Sequence, residues 1–414
     1  MHPKPQNAFY AQSGGVTAVI NATASGLLSA ARQHKDKFGT VYAGRNGILG
    51  GLNDDLIDTS RMTDAEVAAL KYTPGGAFGS CRHQLKSFAQ DPASYEKLIA
   101  TFKKHNIGFF FYNGGGDSQD TAHKISEASR QLGFPVQCIG IPKTIDNDLP
   151  FTDNCPGFGS VAKYVAVSIR EAAFDVASMA ATSTKVFILE VMGRHAGWIA
   201  AASGLATEQQ GDAPHVILFP EIAFDETAFL AKVNDTVKAL GFCAIVVSEG
   251  VKNQNGEFLS EVGGRDAFGH AQLGGVAPRL AELIQNKLKF KVHNAVSDYL
   301  QRSARHIASQ VDVDQAFALG QQAITFALDG KSGIMLTITR KSQQPYQWGI
   351  SHVPLEDVAN QERFMPRDYI SADGFHITSS CREYLQPLIQ GEAYPPYELG
   401  LPKYHRFDWQ KAQR

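Results

Sequence analysis

Short apolar runs alternate with longer amphipathic stretches along most of the chain. The apolar runs predict β-strands at 8–11, 41–43, 107–112, 136–141, 186–191, 216–219 and 244–247. Helical periodicity follows most of them, at 18–32, 120–132, 161–180, 198–205, 226–240 and 276–288. Continuous apolar strands separated by helices are typical of parallel sheets that are covered on both faces. The pattern therefore predicts an α/β protein with mostly parallel sheets.

The chain from about residue 343 lacks this periodicity. It is rich in proline, tyrosine and polar residues, as in the segment QQPYQWGISHVPLEDVANQERFMPRDYI. We predict that this C-terminal tail is irregular, wraps the globule and carries no chemistry of its own.

Composition and net charge indicate the general class of the protein and the partners that it is not expected to have. The chain has 414 residues, of which 43% are hydrophobic and 19% charged, which indicates a soluble globular protein of two joined domains. A net charge of −2 provides no general attraction for nucleic acid or an anionic membrane, so neither is expected as a partner.

The N-terminus lacks the apolar core of a signal peptide, and no apolar run approaches the roughly 20 residues that span a bilayer. The five cysteines contain no CxxC pair, which argues against a disulfide framework or zinc site and favours a reducing cytoplasm.

Glycine-rich turns follow two of the predicted strands, at the carboxyl ends where parallel sheets bind their ligands. In QSGGVT at 12–17, the glycines let backbone amides approach an anion at a helix N-terminus, although a simple tight turn explains the segment equally well. The second turn, at 114–116, is followed by Asp117, whose carboxylate repels phosphate. Asp117 could bind Mg²⁺, exclude a long nucleotide donor by charge and bulk, or merely cap the next helix.

Three further stretches place charged side chains after strands. In PKTIDND at 142–148, a carboxylate suits a general base for an alcohol and Lys143 offsets the charge of a transferring phosphoryl group. A polar turn is the alternative. Arg194 in MGRHAGW and Arg302 in YLQRS suit a phosphate monoester or sugar hydroxyls, although either could be a surface ion-pair partner. His195 is interpreted as structural.

Together and in this order, these stretches resemble the phosphofructokinase family over nearly the whole chain. The most specific matches are PKTIDND at 142–148 and MGR at 192–194, supported by SEG at 248–250 and YLQR at 299–302. The resemblance implies two similar three-layer αβα domains with mostly parallel sheets and a site in the cleft between them.

The same resemblance implies how the domains divide the chain. Residues 1–157 plus about 303–342 are expected to form the phosphoryl-donor domain. Residues from about 158 to 302, with parts of 343–414, are expected to form the sugar-phosphate domain.

Asp117 together with Lys143 resembles the pyrophosphate-dependent branch, whereas ATP-using members carry GGDGS and PGTIDND at these positions. In this interpretation Asp117 occupies the space of the ATP α-phosphate and Lys143 holds pyrophosphate. The implied reaction is the reversible, Mg²⁺-dependent transfer of a phosphoryl group from pyrophosphate to the 1-hydroxyl of fructose 6-phosphate, in glycolysis or gluconeogenesis. An ATP-dependent 6-phosphofructokinase and a non-catalytic regulatory subunit of the same fold are the alternatives.

The family's roles carry over by position. Asp146 resembles the base, and the other catalytic positions are Lys143, Asp117 and Arg82. Asp117 is also assigned as the metal ligand, because the family's metal-binding aspartate aligns with Gly116. The substrate-binding positions are Gly14, Thr144, Ile145, Asp148, Lys185, Met192, Gly193, Arg194, Glu249, Tyr299, Leu300, Gln301 and Arg302.

Family members often donate two arginines across a subunit interface. Here the corresponding residues are Lys185 and either His293 or the neighbouring Lys291. The resemblance therefore implies a homodimer or a homotetramer.

Overall fold

The structure, a computed structural model, describes residues 5–259, 261–265 and 271–407, with the backbone alone for 261–265 and 271–272. The strands are β1 (Gln6–Gln12), β2 (Phe38–Gly44), β3 (Leu56–Asp58), β4 (Ile107–Gly114), β5 (Gln137–Pro142), β6 (Val186–Val191), β7 (Val216–Leu218), β8 (Cys243–Ser248), β9 (Glu261–Arg265), β10 (Ala271–Leu273), β11 (Val292–Val296), β12 (Ile334–Gln343), β13 (Tyr346–Pro354), β14 (Tyr397–Glu398) and β15 (Leu401–Pro402). The helices are α1 (Ile20–Gln33), α2 (Ile48–Asn53), α3 (Asp64–Ala69), α4 (Pro92–Lys104), α5 (Gly116–Gln131), α6 (Phe158–Met179), α7 (Trp198–Ala202), α8 (Glu226–Leu240), α9 (Val276–Leu288), α10 (Asp298–Ser303), α11 (Gln310–Leu328), α12 (Leu355–Val358) and α13 (Ser379–Leu385). Short 3₁₀ helices occupy Thr59–Arg61, Leu70–Tyr72, Ser203–Ala206, Arg305–Ile307, Arg367–Tyr369 and Gln386–Ile389.

Two mostly parallel sheets organise the molecule. The large sheet has the strand order β13-β12-β5-β4-β1-β2-β3, with parallel pairs inside and antiparallel pairs at its two edges. The smaller sheet has the order β11-β6-β8-β7, and all of its pairs are parallel. The prediction of an α/β fold with mostly parallel sheets is confirmed.

Strand β4 explains why the apolar runs are continuous. Every residue of β4 is buried, and successive side chains enter different cores. Phe109 and Phe111 pack with Leu27 on one face of the large sheet, whereas Phe110 and Tyr112 pack with Leu98 on the other. A strand covered on both faces needs apolar side chains at every position, which removes the alternation of a half-buried strand.

The predicted helices are found with small shifts in their ends. Helices α8 and α9 have the predicted bounds. Helix α5 begins at Gly116, four residues before the predicted start, because the amides of Ser118 and Gln119 already donate to the Gly115 carbonyl. No helix within the described residues combines the length and apolar character needed to cross a membrane.

The C-terminal tail is more regular than predicted. Strand β13 pairs with β12 along one edge of the large sheet, and Trp348 and Ile350 pack against the core there. Helix α13 buries Cys381 and Leu385 in the core that lies around α6. The prediction of an irregular tail is therefore wrong for these segments. Tyr346, Trp348 and Ile350 alternate as in a half-buried strand, a signal that the surrounding proline and polar residues obscured. The domain boundaries remain a prediction, although the large sheet extends past residue 342 to include β13.

Candidate active site

A cleft with a volume of about 1270 Å³ lies between loops of the two sheets. One side consists of the loops that follow β1, β4 and β5, and the other of the loops that follow β6 and β8 together with α10. The predicted site residues that line the cleft are Gly14, Arg82, Asp117, Lys143, Thr144, Ile145, Asp146, Asp148, Met192, Arg194, Glu249, Tyr299 and Arg302. The chain thus brings together groups from positions 14 to 302.

Two cationic side chains approach the glycine loop after β1. The ammonium of Lys143 donates to the Gly15 carbonyl at 2.5 Å. A side-chain carbon at Gly15 would lie 2.7 Å from Nη1 of Arg302, and one at Gly14 would lie 3.4 Å from Nζ of Lys143. Gly14 also has a φ of +74°, which a residue with a side chain rarely adopts. The loop is therefore built so that backbone and cations together can face an anion.

Asp117 lies in the first turn of α5, close to the end of β4. The N-cap of α5 is Gly115, and no side chain caps this helix N-terminus. The interpretation of Asp117 as a helix cap is therefore wrong, and its carboxylate lines the cleft instead. A negative side chain in this turn is stabilised by the helix dipole, so the position is compatible with folding.

The loop after β5 holds two carboxylates against the cleft. The Asp146 amide donates to Oγ1 of Thr144 at 3.0 Å, and Asn147 has a φ of +56°. Burial raises the pKa of Asp146, while the nearby Lys143 ammonium opposes this shift. Burial and the charge of Asp146 raise the pKa of Asp148 to about 7. The pKa of Asp148 therefore lies close to neutral pH, and burial moves that of Asp146 upwards, towards the range that suits proton transfer from an alcohol.

Burial shifts the pKa of Lys143 in the opposite direction. It lowers the pKa of Lys143 to about 8, while Asp146 partly restores the charged form and Arg302 further disfavours it. Across the cleft, burial and Asp146 raise the pKa of Glu249 to about 7. Clustered shifts of this kind, in a cleft, are typical of catalytic sites.

Arg194 is presented to the cleft by a closely packed loop after β6. Gly193 has a φ of +126°, and its carbonyl accepts a hydrogen bond from Ser248 Oγ at 2.5 Å. A side-chain carbon at Gly250 would lie 2.0 Å from the Arg194 carbonyl oxygen, so only glycine fits there. Within the described residues, the buried Nε of Arg194 has no hydrogen-bond partner, which makes it available to an acceptor such as a phosphate or hydroxyl oxygen.

Four predicted site residues lie outside the cleft lining of a single chain. Lys185 is at the opposite end of β6 and donates to the Ala180 carbonyl. Leu300 is 66% exposed on the outer side of α10. Gln301 is buried and supports the loop after β6, because its Oε1 accepts from the Met192 amide at 3.2 Å. Gly193 acts through its backbone, as described above.

The cleft also contains residues that sequence reasoning missed. Asn360, Gln361, Glu362 and Phe364 of the tail line it, so the prediction that the tail carries no chemistry of its own has no support here. His195, interpreted as structural, lines the cleft too, with Nδ1 3.0 Å from the Glu362 carboxylate. The tail residues carry no motif that would have revealed them, since only the folding back of the chain brings them to the cleft.

Comparison with known proteins agrees with this geometry. Residues 7–327 match the family Phosphofructokinase. The chain is 60% identical to the pyrophosphate–fructose 6-phosphate 1-phosphotransferase of Methylococcus capsulatus over 399 residues, which cover 96% of this chain and 95% of that protein. It is 59% identical to the protein of the same name from Halomonas elongata over 408 residues, covering 99% and 97% of the two chains. The crystal structure of a pyrophosphate-dependent phosphofructokinase from Nitrosospira multiformis superposes with a TM-score of 0.90 at 59% identity, covering 97% and 96%. The chain therefore belongs to the phosphofructokinase family.

Proposed function

We propose that this protein transfers a phosphoryl group from pyrophosphate to the 1-hydroxyl of fructose 6-phosphate, producing fructose 1,6-bisphosphate and phosphate. The observation that carries the proposal is the meeting of Asp117, Lys143 and Asp146 in one cleft, opposite Arg194 and Arg302. The names of the relatives support the same reaction. The donor is pyrophosphate, and neither it nor the phosphate that it leaves carries a nucleotide. We therefore expect the reaction to run in both directions.

In the proposed mechanism, the carboxylate of Asp146 takes the proton of the 1-hydroxyl as its oxygen bonds to phosphorus. The bond between that phosphorus and the bridging oxygen of pyrophosphate breaks, and phosphate leaves. Lys143 and Arg82 stabilise the negative charge on the transferring group. Most of the rate acceleration in such reactions comes from positioning and charge stabilisation.

The two sides of the cleft divide the substrates. Lys143 and the glycine loops hold the pyrophosphate end, and Asp117 limits the length of the donor. Arg194 and Glu249 hold the sugar phosphate, and Arg302, whose guanidinium reaches the Gly15 loop, lies between the two substrates. The guanidinium of Arg302 stacks 3.7 Å from the ring centroid of Tyr299, which fixes its direction.

The donor set of the cleft is compatible with Mg²⁺. Within the described residues, no group of three or more His, Cys, Asp or Glu side chains is arranged to hold a metal ion. Mg²⁺ commonly uses only one or two carboxylates, with substrate phosphates and water completing its shell. Asp117 would be the protein ligand, with Asp148 on the neighbouring loop. When bound, the ion would neutralise charge on the pyrophosphate oxygens.

We further propose that the protein acts in the cytoplasm as a homo-oligomer. Lys185 and Lys291 lie together at the end of α6, where the Lys291 ammonium donates to Ser183 Oγ at 3.2 Å. Neither lines the cleft of its own chain, and we propose that both serve the site of a second copy.

A donor assay tests the proposed reaction. Purified protein with fructose 6-phosphate and Mg²⁺ should form fructose 1,6-bisphosphate rapidly from pyrophosphate and slowly from ATP.

Asp117→Gly should shift the ratio of the two kcat/KM values towards ATP, since it removes charge and bulk from the donor pocket. Asp146→Asn should lower kcat for either donor by about 10²- to 10⁴-fold. Asp235→Asn, at an exposed carboxylate of α8, should leave both values unchanged.

Two results would contradict the proposal. A wild-type protein that prefers ATP would overturn the assignment of the donor. A protein that phosphorylates fructose 6-phosphate with neither donor would support the non-catalytic alternative.

A further inference from the structure

Residues 360–365, here called the cleft segment, lie beyond the residues 7–327 that match the family. They follow α12 and cross the cleft between the two sheets. Asn360 donates to Oδ1 of Asp120 on α5 at 3.3 Å, and the Met365 amide donates to Oε1 of Glu221 at 3.3 Å. The cleft segment is therefore attached to both sides of the site.

Arg363 is the centre of this segment. Its Nε and Nη2 donate to the Asn147 carbonyl at 3.2 and 2.8 Å. Its Nη1 donates to the carbonyls of Thr152 and Asp153 at 2.6 and 2.8 Å. Its backbone amide donates to the Asp148 carbonyl at 2.7 Å. One residue therefore holds both peptide carbonyls that immediately follow Asp146 in its loop.

This loop is held by contacts from outside it. Asn147 has a φ of +56°, in the left-handed region that asparagine tolerates better than most residues with a side chain. Its side chain is held by the Cys155 amide at 2.9 Å and by Tyr384 Oη at 3.0 Å. Among the residues that the structure describes, the Asp146 carboxylate accepts one hydrogen bond, from Thr144 Oγ1 at 3.4 Å. The direction of this carboxylate therefore depends on the backbone that Arg363 holds.

Arg363 also connects this loop to the opposite side of the cleft. Its guanidinium lies 4.9 Å from the ring centroid of Trp198, and its carbonyl accepts from Trp198 Nε1 at 3.3 Å. The adjacent Gly197 amide donates at 2.8 Å to Glu221, the carboxylate that also holds Met365. Since Gly197 and Trp198 end the loop that carries Arg194, the two halves of the site are joined through Arg363.

We propose that Arg363 is a positioning residue, which orients Asp146 towards the acceptor hydroxyl without contacting the substrates. The inference rests on the proposed phosphoryl transfer. Arginine suits this role because three nitrogens of its planar fork donate in fixed directions to three carbonyl oxygens, whereas lysine would have to donate from a single nitrogen.

The test compares Arg363→Ala and Arg363→Lys with wild type, using fructose 6-phosphate and pyrophosphate. Arg363→Ala should lower kcat by about 10²-fold, the usual effect of a misplacement near 1 Å, with both KM values within about twofold of wild type. Arg363→Lys should lie between the two. Low millimolar guanidinium should restore part of the kcat of Arg363→Ala and leave that of wild type unchanged. Arg367→Lys is the matched control, because this exposed arginine donates to the nearby carbonyls of Ile370 and Ser371, outside the cleft, and should retain wild-type kcat.

A double-mutant cycle separates positioning from a general effect on the fold. In an Asp146→Asn background, Arg363→Lys should cause little further loss of turnover, because the group that it orients is already absent. Wild-type kcat in folded Arg363→Ala, or additive losses in the cycle, would overturn the inference. Should Arg363→Ala fail to fold, Arg363→Lys and the cycle still decide it. An inactive wild type would instead overturn the proposed function.

Discussion

At the scale of single residues, the environment of Lys143 disfavours the charge that its proposed role requires. It is only 4% exposed, and burial together with the charge of Arg302 lowers its pKa to about 8 against the influence of Asp146. A bound anion would relieve this conflict, because it stabilises the ammonium in the place of water. Binding of a polyanionic donor should therefore be favoured, because it stabilises the charged form of Lys143.

The pH dependence of kcat/KM follows from these shifts. Lys143 loses its proton as the pH rises through about 8, so kcat/KM for pyrophosphate should fall on the alkaline side near that value. Asp148 and Glu249, each with a pKa of about 7, gain protons as the pH falls, so an acidic limb should appear near 7. Since these groups interact, the measured values belong to the cluster as a whole.

Lys143→Arg tests the alkaline limb. Its guanidinium stays charged across the whole range, so kcat/KM should be lower but should no longer fall near pH 8. Titration of the substrates themselves would be the same in both proteins and serves as the internal control. An alkaline limb that persists unchanged in this variant would show that Lys143 is not its source.

At the scale of elements, helices α1 and α11 pack closely against each other on one face of the large sheet. A side-chain carbon at Gly26 would lie 2.0 Å from the Phe317 carbonyl oxygen, and one at Gly320 would lie 2.1 Å from that of Thr23. Each helix therefore uses a glycine where the backbone of its partner approaches. This contact lies close in the chain to the glycine loop after β1, because that loop leads into α1.

Gly320→Ala should lower the free energy of unfolding by about 1–3 kcal/mol, because the added methyl group meets a backbone that cannot move aside. Urea denaturation with an unchanged m-value would measure this loss. Thr325→Ala, at an exposed position of the same helix, is the control and should differ from wild type by less than about 0.5 kcal/mol. Equal midpoints for Gly320→Ala and wild type would contradict the packing argument.

At the scale of the whole molecule, one edge of the smaller sheet is exposed among the described residues. Strand β11 forms this edge, and most of its side chains are exposed. Nearby, α6 exposes Phe174 at 69% and Met179 at 52%. An exposed sheet edge beside large apolar side chains is typical of a protein interface.

We expect this surface to join two copies of the chain. Sedimentation velocity should find a dimer or tetramer for wild type, and Phe174→Glu should shift it towards smaller species by burying a charge at the contact. If Lys185 and Lys291 serve the neighbouring site, the same variant should raise KM for fructose 6-phosphate. Leu240→Glu, at an exposed position at the end of α8, is the control. A monomeric wild type with full activity would contradict the proposed assembly.

The sequence alone determined the class of fold and most of the chemistry in the cleft. Continuous apolar strands such as β4 arise only where both faces are covered, so the parallel sheets could be read from hydrophobicity. The glycine turns and the PKTIDND segment are local, and their residues lie beside one another in the chain. The sequence therefore predicted a common site for Asp117, Lys143, Asp146 and Arg194, which line one cleft, whereas their individual roles rest on the family resemblance and stay predictions.

Only the tertiary structure decided which distant residues complete the site. Glu362 reaches the cleft and Arg363 reaches the loop after β5 because the tail folds back over that loop, and no local pattern encodes this path. Likewise, Leu300 and Gln301 share a motif with Arg302, yet a helical turn directs their side chains away from the cleft. Hydrophobic periodicity records which face of an element is buried, whereas contacts between residues far apart in the chain depend on how the elements pack.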